Sequence, residues 1–220
     1  RYVAIEYGIG GWQTLDAAFV AKYQYGDCKA LTNYMMSLLK EAGITSYHAL
    51  IEAGAGIEPC FFESMPMSQF DHVILCVPLA GDTVWLECTS NDLPANYLGS
   101  FTEDRPVLLI TPHGGKLTRT PRYDTACNSV THHVTASDIS EENSMVRVTG
   151  VLKGMPAYEV FRQVDKTSAS DLNQYLHSKF NLPGYSIQEY KHTRQDEYAG
   201  FVLKENIKMN VQNLLSNSGK

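Results

Sequence analysis

The chain has 220 residues, of which 44% are hydrophobic and 19% charged, with a formal net charge of −6. That length allows one large domain or two ordinary ones, each with a sizeable core. An acidic chain without a long basic run argues against nucleic acid or an anionic membrane as partner, and no apolar stretch approaches the length of a membrane span.

Tyr2 to Tyr7 reads as a strand that ends in Gly8-Ile9-Gly10-Gly11. Arg1 opens straight into it, so the sequence reads as a piece of something longer and its targeting is not legible. A strand followed by glycines suggests a dinucleotide-binding turn, but Gln13 stands where the third glycine belongs and no βαβ pattern follows. Thr14 can cap a short helix from Leu15 to Tyr23.

Tyr25-Gly26-Asp27-Cys28-Lys29 then introduces the clearest helical pattern in the chain. Glycine lets the backbone turn, aspartate can cap, and Cys28 falls in the first turn, where unpaired N–H groups and the helix dipole favour an anion. Leu31, Met35, Leu38 and Ala42 recur at helical spacing with Cys28 on the same stripe, and Gly43 closes the helix. The spacing fits a nucleophile facing a neighbouring element, and equally a thiol that is plain core.

Tyr47 to Glu52 is strand-like, and Gly54 to Met67 is irregular. Phe70 to Val77 and Thr83 to Cys88 predict two strands of an antiparallel hairpin, with a turn at Leu79-Ala80-Gly81-Asp82. His72, Ile74 and Cys76 share one face, and Trp85 and Glu87 share a face of the partner strand. His72 and Glu87 meet if they lie opposite or diagonally by two. A slip of one residue separates them.

Val107 to Ile110 is a further strand. Pro112, Gly114-Gly115 and Pro121 then mark a boundary, giving domains of residues 1–121 and 122–220. Beyond it, alternation around Val130 to Val134, Val146 to Gly150, Ile187 to Tyr190 and Phe201 to Met209 predicts a β-rich domain, with a helix from Leu172 to Phe180. His48 reads as a structural histidine. His113, His132, His133, His177 and His192 lack ligand spacing and read as solvent-facing.

The five cysteines, Cys28, Cys60, Cys76, Cys88 and Cys127, include no C-x-x-C pair. Neither a disulfide framework nor a metal site is expected, nothing supports a Cys60–Cys88 bridge, and no cofactor motif is found. A cysteine at a helix start, with a histidine and a carboxylate on neighbouring strands, is what thiol acyl transfer requires.

Residues 1–28 (R-Y-V-A-I-E-Y-G-I-G-G-W-Q…Y-G-D-C-K), Phe70-Asp71-His72-Val73 and Trp85-Leu86-Glu87-Cys88-Thr89 resemble the core of bacterial transglutaminase-like proteins. The usual family forms there are G-D-C-K-D, F-N-H-V and W-L-D-P-T. The stretch from Arg105 through Gly114-Gly115 to Pro121 and beyond resembles the multidomain members. The resemblance implies an α+β fold: a papain-like, transglutaminase-like core with the nucleophile helix packed on an antiparallel sheet, then a β-rich domain with at least one helix. It implies a further N-terminal domain that packs on this part of the protein, and a location outside the cytoplasm, periplasmic or extracellular.

By position, Cys28 would be the nucleophile, His72 the general base and Glu87 the orienting carboxylate, with Gln13 and Trp12 as oxyanion candidates beside the Cys28 N–H. Asp71 and Asp92 are weaker substitutes for the carboxylate. Glu87 in place of aspartate, Cys88 in place of proline, and Ala30-Leu31 after Lys29 depart from the pattern. The implied function is hydrolysis of a peptide or amide bond in a peptide or protein substrate through a thioester. The alternatives are a degenerate, non-catalytic module that binds peptides or acts as a scaffold, and a protein cross-linking transglutaminase.

Overall fold

The computed structural model describes residues 1–5, 11, 13–54, 61–65, 67–140, 142–180, 182, 184–198 and 200–214. It is an α+β protein with two antiparallel sheets, and it divides into two compact units. One holds residues 1–123 with 198–200, the other residues 124–197 with 201–220. No described helix is long and apolar enough to cross a membrane.

The first unit contains α1 (Ala17–Tyr23), α2 (Cys28–Glu41) and α3 (Gly99–Thr102). Its strands are β1 (Tyr47–Ile51), β2 (His72–Leu79), β3 (Asp82–Leu86), β4 (Pro106–Thr111) and β5 (Gly114–Arg119), in the sheet order β3-β2-β1-β4-β5. Of the expected first strand only an isolated bridge, Tyr2 to Gly26, is found; Val3 to Ile5 form no strand, and Glu6 and Tyr7 lie outside the described residues. The cap of α1 is Asp16 rather than Thr14. Its carboxylate accepts the Phe19 N–H at 2.6 Å, and the helix starts two residues later than its apolar pattern suggests.

In α2 the expected apolar stripe is not the buried one. Leu38 is 46% exposed and Ala42 is exposed, whereas Ala30 and Thr32 are buried. The reason is close approach. The helix lies against β2 and β1 and also against α1, so small side chains sit at the contact and the larger ones spread around it. Thr32 donates to the Val73 carbonyl at 3.1 Å, which satisfies its hydroxyl and ties the helix to β2. Gly43, at φ +74°, ends the helix in a left-handed conformation, with the Ile44 N–H bonded back to Leu39.

The hairpin turn is tighter than the sequence pattern suggests. Leu79 pairs with Asp82, leaving only Ala80 and Gly81 between the strands, and Gly81 takes φ +84°. Ala49, Ile51, Ile74, Cys76, Trp85, Leu98, Val107 and Leu109 form the core of this unit, with Tyr123 packed on it. Cys76 and Cys88 stand as free thiols, as do Cys28 and Cys127; Cys60 lies outside the described residues.

The second unit orders β6 (Ser129–Ser137), β7 (Asn143–Lys153), β9 (Gly200–Gln212) and β8 (Tyr185–Glu197) as β6-β7-β9-β8. Val146, Val148, Ile207, Met209 and Val211 pack with Leu176 of α5 (Ala169–Lys179), while Leu152, Phe201 and Leu203 pack with Ala157 of α4 (Met155–Val164). The helix α4 escapes the sequence reading. Its start is marked by Pro156 in the first turn and by the Asn128 side chain, which accepts the Met155 N–H at 2.9 Å from far along the chain.

His132, read as solvent-facing, is exposed, and it also stands with Nε2 3.3 Å from Oε1 of Glu205, whose carboxylate is fully buried. Lys179 holds the same carboxylate from α5 with Nζ at 2.6 and 2.8 Å, so α5 is pinned to β9 by a two-pronged ion pair. Removing one partner of a buried pair leaves the other uncompensated. Lys179→Met is therefore expected to destabilise the protein by about 3 kcal/mol. Urea unfolding followed by circular dichroism measures this; a loss under about 0.5 kcal/mol would mean the pair is no more than a surface contact.

Candidate active site

The site starts where α2 starts. Gly26 is placed by backbone hydrogen bonds, its N–H donating to Arg1 and its carbonyl accepting from Val3. A side chain there would bring a Cβ within 2.8 Å of the Ala30 Cβ, so only glycine allows the chain to enter the helix so closely. Asp27 is the N-cap: Oδ1 accepts the Ala30 N–H at 2.9 Å, and Oδ2 takes Lys29 at 2.8 Å. Cys28 is thereby fixed at the first helical position, half-buried, with its N–H among the donors that have no intrahelical acceptor.

His72 opens β2, opposite Ile51 of β1. The pairs Leu75–Leu86 and Cys76–Trp85 set the hairpin register, and by continuation Glu87 falls opposite Ile74, two residues diagonally from His72 and on its face. The side chains meet there. Nε2 of His72 lies 2.9 Å from Oε2 of Glu87, with both side chains almost wholly buried. The Cys28 thiol also acts on this ring, and its influence helps to raise the His72 pKa. With Nε2 engaged by Glu87, Nδ1 is left for the sulfur.

The electrostatics follow from that chain of contacts. Burial alone would push the imidazole down, but the hydrogen bonds to Cys28 and Glu87 and the charges beside it outweigh burial and raise its pKa to about 9. Burial likewise works to raise the Glu87 pKa, and it is overcome by His72 and by the two hydrogen bonds from Thr89, so the carboxyl is held below its ordinary value. The arrangement favours a protonated ring beside the Glu87 carboxylate.

Two further residues belong to the site and were not singled out from the sequence. Thr89 bonds Oε1 of Glu87 with its hydroxyl at 2.5 Å and its N–H at 3.1 Å. Phe101 of α3 sets its ring edge-to-face with His72, centroids 5.5 Å apart, while remaining 45% exposed. Thr89 stood in a motif and its type is one that bonds nearby polar groups, which was a usable signal. Phe101 gave none, because its position depends on how residues 94–102 fold back over the sheet.

The other candidates fall elsewhere. Gln13 is exposed ahead of α1, and Trp12 lies outside the described residues. Asp71 accepts the Ala53 N–H at 2.8 Å, and Asp92 is exposed in a turn, so neither replaces Glu87. His48 lines a hollow of about 660 Å³ with Met36, Tyr47 and Ile110, and burial lowers its pKa. Cys88 touches the Thr32 hydroxyl. Burial pushes this thiol up to about 12, against the pull of Thr32 and with the help of the Glu87 charge, which makes it a poor nucleophile beside Cys28. Among the described residues no group of three or more His, Cys, Asp or Glu could hold a metal ion.

A raised histidine pKa has a definite sign for stability. Between about pH 6.5 and 9 the folded state holds a proton on His72 that the unfolded state has lost, so native stability falls as pH rises through that window and the contribution is complete below it. Wild-type protein should lose stability across this range with a slope approaching 1.4 kcal/mol per pH unit. His72→Gln should lack that component. Guanidinium unfolding at several pH values measures both, and parallel pH profiles would show that the ring carries no extra proton.

No family model, curated protein or solved structure matched the chain.

Proposed function

We propose that the first unit is a thiol-dependent acyl-transfer domain of the transglutaminase-like kind, with a papain-like core, that hydrolyses peptide or amide bonds. The reading rests on one observation: the buried hydrogen bond between His72 and Glu87, with the Cys28 thiol at the start of α2 acting on the same ring. Cys28 passes its thiol proton to His72 and attacks the carbonyl carbon, forming a C–S bond while the oxygen takes up the electron pair. The Cys28 N–H, at the positive end of α2, is placed to stabilise that oxyanion. Collapse of the tetrahedral intermediate breaks the C–N bond, and the leaving amine takes its proton from His72.

The thioester is then opened by water, whose proton goes to His72; the C–S bond breaks, and His72 returns that proton to the sulfur to regenerate the thiol. Glu87 keeps the ring oriented and offsets its charge in both steps. Glutamate in place of the family's aspartate still reaches the ring, at 2.9 Å. A hollow of about 400 Å³ lined by Glu52, Phe62, Met67, Phe70 and Asp71, immediately before His72 in the chain, offers room for a substrate side chain.

The deciding measurement is alkylation of Cys28 by iodoacetamide, followed by mass spectrometry of its peptide between pH 5 and 9. Wild-type Cys28 should react faster than the same cysteine without its neighbouring base, and His72→Ala should slow the reaction at pH 6 by about tenfold or more. Identical profiles for the two proteins would leave a non-catalytic binding module as the reading. In hydrolysis, Glu87→Ala should lower kcat by about 10²- to 10⁴-fold with little change in KM.

A further inference from the structure

Glu87 presents a problem that an aspartate would not. Its longer side chain has one more rotatable bond, and a carboxylate free to turn about it would offer His72 either oxygen, or neither. The structure divides the two oxygens between two jobs. Oε2 faces His72 Nε2 at 2.9 Å, and Oε1 takes both the Thr89 hydroxyl at 2.5 Å and the Thr89 N–H at 3.1 Å. A rotation that broke the bond to His72 would have to break both bonds to Thr89, in a place where the side chain is 3% exposed and water cannot replace them.

The sequence separation makes this a local clamp. Thr89 lies two residues beyond Glu87, just past the end of β3, where the chain leaves the sheet and turns. A backbone N–H alone would suffice for that turn. The hydroxyl, directed at a charged oxygen, is the part that the turn does not need. Charge-assisted bonds of this kind are short and strong, and the hydroxyl bond is the shortest contact that Glu87 makes.

We propose that Thr89 is a positioning residue, whose hydroxyl locks the Glu87 carboxylate in the rotamer that orients His72 toward Cys28. The inference rests on the acyl-transfer reading of the site, and Thr89 acts through Glu87, to which both of its bonds are made. Thr89→Val keeps the shape and the N–H and removes only the hydroxyl donor. Thr89→Ser keeps the donor and removes the methyl.

The test uses the full chain with two readouts, Cys28 alkylation by iodoacetamide across pH 5 to 9 and titration of the His72 ring by NMR. For Thr89→Val the alkylation rate near pH 6 should fall about tenfold, the kinetic equivalent of one lost hydrogen bond to a charged group, and the His72 titration should move down by about one pH unit. Thr89→Ser should track the wild type in both. In a Glu87→Gln background, Thr89→Val should change neither readout further. If Thr89→Val does not fold, Thr89→Ala is read in the same way.

A Thr89→Val protein that is merely less stable, with both profiles superimposed on the wild type, overturns the clamp while leaving the acyl-transfer reading standing. The same holds if Thr89→Ser fails to restore the wild-type profiles. If wild-type Cys28 is no faster near pH 6 than in His72→Ala, both the reading and the clamp fail together, so the two failures are told apart by the wild-type control.

Discussion

The register of the β2–β3 hairpin is the constraint on which the site depends. A two-residue connection at Ala80-Gly81 makes Leu79 pair with Asp82 and carries the pairing back to Leu75–Leu86. From there the pleat decides the rest, because side chains alternate faces and a shift by one residue would send Glu87 to the far side of the sheet from His72. A single glycine at φ +84° therefore governs a contact some distance away at the other end of the strands. The 2.9 Å bond between His72 and Glu87 is the consequence of that geometry.

The second half of the site is supplied by a helix whose position is fixed by small residues. Gly26 and Ala30 let the chain enter α2 tightly, and Thr32 anchors it through the Val73 carbonyl next to His72 in β2. The thiol is thus delivered to the ring by two separate backbone attachments, one before it and one after it. Neither depends on Cys28 itself, so substitutions of the cysteine should leave its surroundings in place. The polar chain that results is fully paired at its buried end, as a buried charge requires.

Polar pairing also organises the second unit, with a different outcome. Glu205 is as buried as Glu87, yet its partners are Lys179 and His132, and together they pin a helix to a sheet. A carboxylate with a lysine at 2.6 Å has its charge neutralised on the spot. One that faces a histidine instead holds a proton on the ring, where it can be exchanged. The difference lies in the partners and not in the burial.

Several features were legible in the sequence because they are local. The turn into α2, the cap at Asp27, the stop at Gly43 and the shared face of His72, Ile74 and Cys76 follow from short-range backbone preferences and the strand period. Resemblance then singled out Cys28, His72 and Glu87, and folding brings these three side chains together. What the sequence could not decide was which side of α2 would be buried, since Ala30 and Thr32 outrank Leu38 only once β1, β2 and α1 are all in place. It also could not decide that His132 would meet Glu205 from 73 residues away, that Phe101 would lie against His72, or that Gln13 would stay exposed. Those outcomes depend on distant segments packing together. The amino-acid pattern set the local turns and faces, and only the tertiary structure determined which faces met.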